Sequence, residues 1–550
     1  METSIGIDVG TGSARAGIFD AQGTLLAAAV REIARFSPAP DFAQQSTADI
    51  WAAVCQAVRE ALRHAGVAPD TVRGIGFDAT CSLVLSDGDG QPVSVSPDGA
   101  REQDVVMWLD HRASEETRAI NTTGAEPLNY VGGRMSIEMQ LPKLRWLKRH
   151  CPQSWARATR FWDLPDWLTW RATGCEDRSI CSPVCKWGYL GARGLAGEGW
   201  DVGFFAKIGL EDLTCEGFAA IGKRFCHAGE AVGGLTARAG KELGLAQGIP
   251  VSAGLIDAYA GALGTLLGLL GAGLTPERLQ ESLNARLAVI AGTSACHIAL
   301  TPSPVFVPGV WGPYPGALLE GWCALEGGQS AAGALLDAVL NRHGALAELD
   351  AQAKAHSISR YDRLEEILTA IAQDAGQKVA LLTKDRHIQP DFHGNRAPLA
   401  DPARRGAISG LGLHVGVEDL ALDYLAAIQA LGYGTRHILT EMKDRGLPIT
   451  TLVMSGGLAD NPMFVQTSAD TTGCAVLCPD QPEPVLLGSA MIGAAAGGKR
   501  DLATVAAEMS GEGKTHNPCG GAVADYHARK YRVFRAMQDD FANYRDMMES

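Results

Sequence analysis

Two copies of one pattern lie about half a chain apart, and they restrict the fold more than any other feature. In the first, Ile5, Ile7 and Val9 alternate along a strand, Gly10-Thr11-Gly12-Ser13 makes a turn, and residues 14–19 run back as a second strand. In the second, residues 287–290 form a strand, Ala291-Gly292-Thr293-Ser294-Ala295 turns, and residues 296–300 return. Glycines between two strands exclude the Rossmann fingerprint, whose glycines must open a helix. A Gly-Thr-(x)-Ser turn offers converging backbone N–H groups and hydroxyls, and glycine admits close approach, so each turn is a nest for a phosphate. One such hairpin is commonplace. Two, each opening a half of the chain, point to a duplicated fold with a phosphate loop in each half.

The 550 residues exceed what one core supports, so two large domains are expected. Residues 267–282 read as an insertion or linker, which sets the domains at 1–268 and 286–550. A net charge of −14 argues against nucleic acid or an anionic membrane as the main partner. The first residues lack a basic, then apolar, leader, and thirteen cysteines are an odd number; both suit reduced thiols in the cytoplasm. The pairs Cys181/Cys185 and Cys474/Cys478 do not have zinc-ribbon spacing. Residues 258–274 are nearly free of polar side chains but short for a membrane span, and are expected as a helix buried between domains. The run from Gly493 to Lys499 has Walker A spacing, yet Arg500 stands where Ser or Thr must hold a metal, and an Ala-rich helix precedes it; that reading is rejected.

Several residues then stand out as chemistry. Asp257 sits where a strand ending near Leu255 gives way to a helix, so helix N–H groups would favour its charged form. It reads either as a helix cap or as a base for a substrate hydroxyl. Asp8, alone in an apolar strand, calls for a cation, and Mg²⁺ is a reasonable one. Arg15 is either a phosphate partner or an ordinary strand residue. Ser455-Gly456-Gly457 with Asn461 suits a nucleotide lying on bare backbone, or equally a helix start with Asp460 or Asn461 as cap. Thr80, Cys81, Asp110, His111 and Arg112 lie at strand ends, where open α/β sheets bind ligands. Lys186 and Glu326 are isolated charges in apolar stretches, either snorkelling or gripping a ligand.

Taken in order, Ile7-Asp8-Val9-Gly10-Thr11-Gly12-Ser13-Ala14-Arg15, the 254–264 segment with its Asp, Ala291-Gly292-Thr293-Ser294 and Met454-Ser455-Gly456-Gly457 resemble the FGGY carbohydrate kinases along nearly the whole chain. Thr80-Cys81-Ser82-Leu83-Val84 is similar to the signature of the D-ribulokinase branch. The resemblance implies an α/β fold of two ribonuclease-H-like domains of the actin and hexokinase type, with the active site between them. It implies ATP and Mg²⁺ phosphorylating a terminal sugar hydroxyl, D-ribulose first, with L-ribulose, ribitol or a related pentitol as alternatives. It makes Asp257 the general base and a metal neighbour with Asp8. Thr80, Cys81, Asp110, Lys186 and Glu326 fall on the sugar side. Gly10, Thr11, Gly12, Ser13, Arg15, Gly292, Thr293 and Ser294 fall by the phosphates, and Gly456, Gly457 and Asn461 by the adenosine. A homodimer is compatible with this reading. The reading from another class is a nucleotide-gated regulator on an actin-like fold.

Overall fold

In the computed structural model, which describes residues 2–269, 271, 275–498 and 500–549, strand β1 (Thr3–Val9) is buried along its whole length. A strand covered on both faces belongs at the centre of a sheet. β2 (Ser13–Asp20) pairs antiparallel with β1, and β3 (Leu25–Glu32) continues the meander. Helix α1 (Thr47–Ala65) follows, its Ile50, Trp51, Val54, Val58, Ala61 and Leu62 stripe packed on the sheet. Ser46 accepts from the Asp49 N–H at its start, and Gly66 ends it in the left-handed region. β4 (Val72–Ala79) then lies parallel to β1. Strands β5 (Ala231–Gly234), β6 (Pro250–Ser252) and β7 (Leu255–Ile256) complete the seven-stranded sheet on the β4 side. Residues 249–255, expected as one strand, are two short ones parted at Ala253 and Gly254, and Asp257 opens helix α2 (Asp257–Leu266) directly after.

The second half repeats the plan. β8 (Arg286–Ala291) and β9 (Ala295–Thr301) form the hairpin, and β10 (Trp311–Pro315) and β11 (Cys323–Gln329) extend it. After helices α3 (Gly333–Arg342) and α4 (Val417–Asp444), β12 (Thr451–Ser455) lies parallel to β8, as β4 does to β1. Helix α5 (Pro462–Thr472), strand β13 (Ala475–Pro479), helix α6 (Pro484–Gly497), strand β14 (Gly513–His516) and helix α7 (Ala522–Glu549) complete the lobe. Between α3 and α4 lie two further helices, Leu346–His356 and Arg360–Asp374, broken at Ser357, whose φ is 56°. A capping box between Ser359 and Asp362 restarts the second.

The two halves exchange helices. α2 leaves the first sheet and packs on β8 and β12 of the second, while α6 leaves the second and packs on β1 and β4 of the first. The apolar 258–266 stretch is therefore buried between the lobes, and among the described residues no helix is long and apolar enough to cross a membrane. Residues 270 and 272–274 of the expected linker, and Lys499 of the Walker-like run, lie outside the described residues. Where α2 and α6 cross, backbone meets backbone. A Cβ on Gly264 would sit 2.0 Å from the Pro484 carbonyl oxygen, and one on Gly488 2.0 Å from that of Ala260. Neither helix can yield a side chain to make room. Gly264→Ala should therefore destabilise the protein by about 1–3 kcal/mol, the usual cost of overpacking, read as a lower midpoint in chemical denaturation.

Candidate active site

The first phosphate-loop candidate follows β1. Gly10 N–H closes it on the Ser13 carbonyl at 2.9 Å. The Thr11 hydroxyl accepts from Trp108 Nε1 at 3.1 Å, and the Thr11 and Gly12 carbonyls accept from Gln45 Nε2 and Ile33 N–H. That leaves the Thr11 and Gly12 N–H groups without a protein partner among the described residues. The second loop is built alike: Gly292 N–H bonds the Ser294 carbonyl at 2.8 Å, and Thr293 and Gly292 carbonyls are held by N–H groups at the start of α3. Gly456, at φ 89°, turns the chain beside it; a Cβ there would lie 2.6 Å from the Ala291 carbonyl oxygen. Gly456, Gly457 and Thr293 are exposed, so this backbone is open to a ligand.

Asp8, 2% exposed, sits at the end of β1 with Arg15 opposite it on β2. Arg15 Nε donates to Asp8 Oδ2 at 2.7 Å, and its Nη1 to Glu483 at 2.9 Å. On the other flank, in register on β4, stands Asp78, fully buried. Burial and the neighbouring Asp8 raise its carboxyl well above the usual carboxylate range, although Ser489 Oγ donates to its Oδ2. Asp257 completes the acidic edge. It is the first residue of α2 rather than its cap, and among the described residues its carboxylate accepts only from the next N–H, that of Ala258, at 2.7 Å. Here the structure reverses an expectation. Burial and the Asp8 charge outweigh that N–H and Lys186, and push Asp257 up to about 6.

Facing this edge is a buried ion pair across the lobes. Lys186 Nζ lies 3.6 Å from Glu326, on β11, and 4.6 Å from the Trp311 ring. Burial works against the ammonium, but Glu326, Cys81, Cys185 and Glu138 together raise its pKa. Tyr259, one turn into α2, donates its hydroxyl to Glu326 at 3.3 Å. Cys81 is nearly buried among Lys186, Asp163, Lys143 and Asp257, and burial pushes its thiol up to about 12, so it serves as a neutral wall. Two more contacts join the lobes here: Arg396 Nη2 is 3.4 Å from Glu138, and the His111 and His393 rings stack at 6.1 Å.

Three residues expected on the sugar or nucleotide side are held by the scaffold. Asp110 is fully buried, and both its oxygens accept from Arg112 and from the Ala43 and Arg112 N–H groups, which fixes Arg112 between Phe42 and Trp146. Thr80 is buried, its hydroxyl paired with Ser82 at 3.0 Å. Asn461 caps α5, accepting from Phe464 N–H and donating to Tyr424, so its amide is occupied. Sequence reading missed Asp78, Glu138, Trp311 and Arg396. Only Asp78 had a signal of its own: an acid near the end of an apolar strand, as Asp8 is. Arg396 lay in what read as plain loop, and nothing near Glu138 marked it.

The acidic edge suits a magnesium ion. Asp8 and Asp257 offer hard oxygen donors, and Asp78 Oδ1 is buried with no donor among the described residues. These acids do not come within 4.8 Å of one another as a set, so they would meet an ion through waters or phosphate oxygens and not as a closed cage. The tighter cluster of His343, Asp419 and Asp423 already holds the Arg386 guanidinium, 2.6 Å from Asp419.

Comparison with known proteins gives the family and the fold. The model of the FGGY family of carbohydrate kinases, N-terminal domain, matches residues 3–264, and that of the C-terminal domain residues 287–497. The chain is 44% identical to an FGGY carbohydrate kinase domain-containing protein of Homo sapiens, over 99% of this chain and 97% of that one. It is 41% identical to a D-ribulokinase of Saccharomyces cerevisiae, over 93% of this chain and 74% of that protein. A crystal structure of xylulose kinase from Rhodospirillum rubrum has the same fold, with a TM-score of 0.77 at 21% identity over 99% of both chains.

The Lys186–Glu326 pair supplies a test of this arrangement. Glu326→Ala leaves a buried ammonium unpaired and should cost about 3–5 kcal/mol of stability, whereas Lys186→Met with Glu326→Gln should recover most of it. Chemical denaturation of the two single variants and the double variant measures this.

Proposed function

The chain belongs to the FGGY family of carbohydrate kinases and is a phosphotransferase with an alcohol acceptor; from that premise we propose that it moves the γ-phosphoryl group of ATP to the terminal hydroxyl of D-ribulose. The first lobe, residues 1–268, holds the sugar, and the second, residues 286–550, the nucleotide. The observation that carries the reading is the position of Asp257, with Asp8 on one side and the Lys186–Glu326 pair on the other. The identity with a D-ribulokinase supports the choice of sugar over L-ribulose, ribitol or another pentitol. Thirteen free cysteines suit a reducing, cytosolic setting.

In this mechanism Ala258 N–H holds Asp257 Oδ1, and Oδ2 accepts the proton of the terminal hydroxyl. The freed oxygen attacks the γ-phosphorus in line, and ADP leaves. Lys186 donates to, and Glu326 accepts from, hydroxyls along the sugar chain, which aims its end at Asp257. N–H groups of Thr11, Gly12, Gly292, Thr293 and Ser294 surround the phosphates, where fixed donors act on charge as it spreads over the phosphoryl oxygens. A magnesium ion near Asp8 and Asp257, when bound, supplies further neutralisation of that charge. The Glu138–Arg396 and Lys186–Glu326 contacts span the lobes and keep water from the phosphoryl group.

Three outcomes follow. Asp257→Asn should fold and bind ATP while pentulose phosphorylation falls about 10²–10⁴-fold, the usual share of a general base; near-normal turnover in a coupled ADP-release assay would remove the assignment. Because the base must be ionised, kcat/KM should climb with pH through about 6 and level off above it. Run across a panel of pentuloses and pentitols, the same assay should give D-ribulose the highest kcat/KM.

A further inference from the structure

We infer that Asp78 is a positioning residue: it fixes the Asp8 carboxylate and, through Ser489, ties the metal and phosphate side of the cleft to helix α6. The inference rests on the kinase reading above. Asp8 and Asp78 occupy matching positions on the parallel strands β1 and β4. In-register neighbours on adjacent strands share a face and lie about 4.8 Å apart. Asp8 is thus held between Arg15 on β2 and Asp78 on β4, and the Asp8 charge acts on the Asp78 carboxyl beside it. β7 extends the same edge, with Leu255 opposite Asp78, and delivers Asp257 two residues later. Asp78 therefore stands between the residue placed by the metal and the strand that feeds the base.

Asp78 has little freedom of its own. Ser489 Oγ, from α6, donates to its Oδ2. The same helix grips the other flank: Glu483, just before its first residue, pairs with Arg15, which pairs with Asp8. α6 has no slack against the sheet, since a Cβ on Gly76 would lie 1.9 Å from the Ser489 carbonyl oxygen. In sequence α6 belongs to the second half, yet it packs on the first sheet and crosses α2 between the lobes. α6 thus contacts both neighbours of Asp8, Arg15 through Glu483 and Asp78 through Ser489. The path from α6 to Asp8 bypasses Lys186 and Glu326, so Asp78 and Ser489 act on metal–nucleotide binding and leave pentulose binding alone.

The test uses the full chain with Ser489→Ala, which removes one hydroxyl, and Asp78→Asn, which keeps the side-chain shape. Mn²⁺ binding in the presence of ADP is followed by electron paramagnetic resonance, alongside the KM for D-ribulose and thermal midpoints. Both variants should weaken Mn²⁺·ADP binding by about tenfold, the scale of one hydrogen bond to a charged group, with the pentulose KM within about twofold. Asp78→Ala should lose more than Asp78→Asn. Unchanged Mn²⁺ binding in Ser489→Ala overturns the inference, as does a parallel loss of metal and sugar affinity that tracks the fall in thermal midpoint. If Asp78→Asn does not fold, Ser489→Ala decides alone. Wild-type protein that releases no ADP in response to any pentulose or pentitol defeats the kinase reading instead, which separates the two failures.

Discussion

The crossing of α2 and α6 is the contact on which the molecule depends. Each helix leaves one sheet and packs on the other, so neither lobe is complete without chain from the opposite half. Backbone meets backbone at Gly264 and Gly488, where any Cβ would overlap a carbonyl. Bare backbone brings the axes close. The crossing also aims the chemistry. Asp257 is the first residue of α2, and Glu483 and Ser489 on α6 reach the Arg15–Asp8 and Asp78 groups. One packing decision thereby places Asp257, Asp8 and Asp78 together.

Electrostatics builds on that frame. The carboxyl edge of the first sheet gathers Asp8, Asp78 and Asp257 in low-dielectric surroundings, where like charges disfavour one another's ionised form. Asp257 is lifted to about 6 as a result, a value that lets it take a proton and still be ionised near neutrality. The cations are interleaved rather than pooled: Arg15 with Asp8 and Glu483, Lys186 with Glu326, Arg396 with Glu138. Two of these pairs span the lobes in the region assigned to the sugar. A polyol entering there exchanges its hydroxyls for groups that otherwise satisfy each other, so recognition and closure draw on the same charges.

Much of this was written into local pattern. Alternation through Ile5, Ile7 and Val9, the Gly-Thr turns at Gly10 and Gly292, and the strand-to-helix junction at Asp257 each follow from steric and hydrogen-bond rules that act over a few residues. Those rules were enough to find the duplicated halves and to pick out Lys186 and Glu326, which the fold pairs. They left open which way Asp110, Thr80 and Asn461, all polar residues at strand or helix ends, would turn. A polar group at such a place can face a ligand or its own scaffold, and only the position of Arg112, Ser82 or Tyr424 decides which.

The sequence by itself determined which residues turn, which alternate and where carboxylates sit on their strands, because those properties depend on near neighbours. Tertiary structure alone decided that Asp78 stands beside Asp8, that Arg396 meets Glu138 some 258 positions away, and that α2 and α6 trade sheets. The rise of Asp257 belongs to that second class as well. Its neighbouring N–H favours the charged form, while burial and a carboxylate from another strand oppose it, and fields of that kind exist only once the chain has folded.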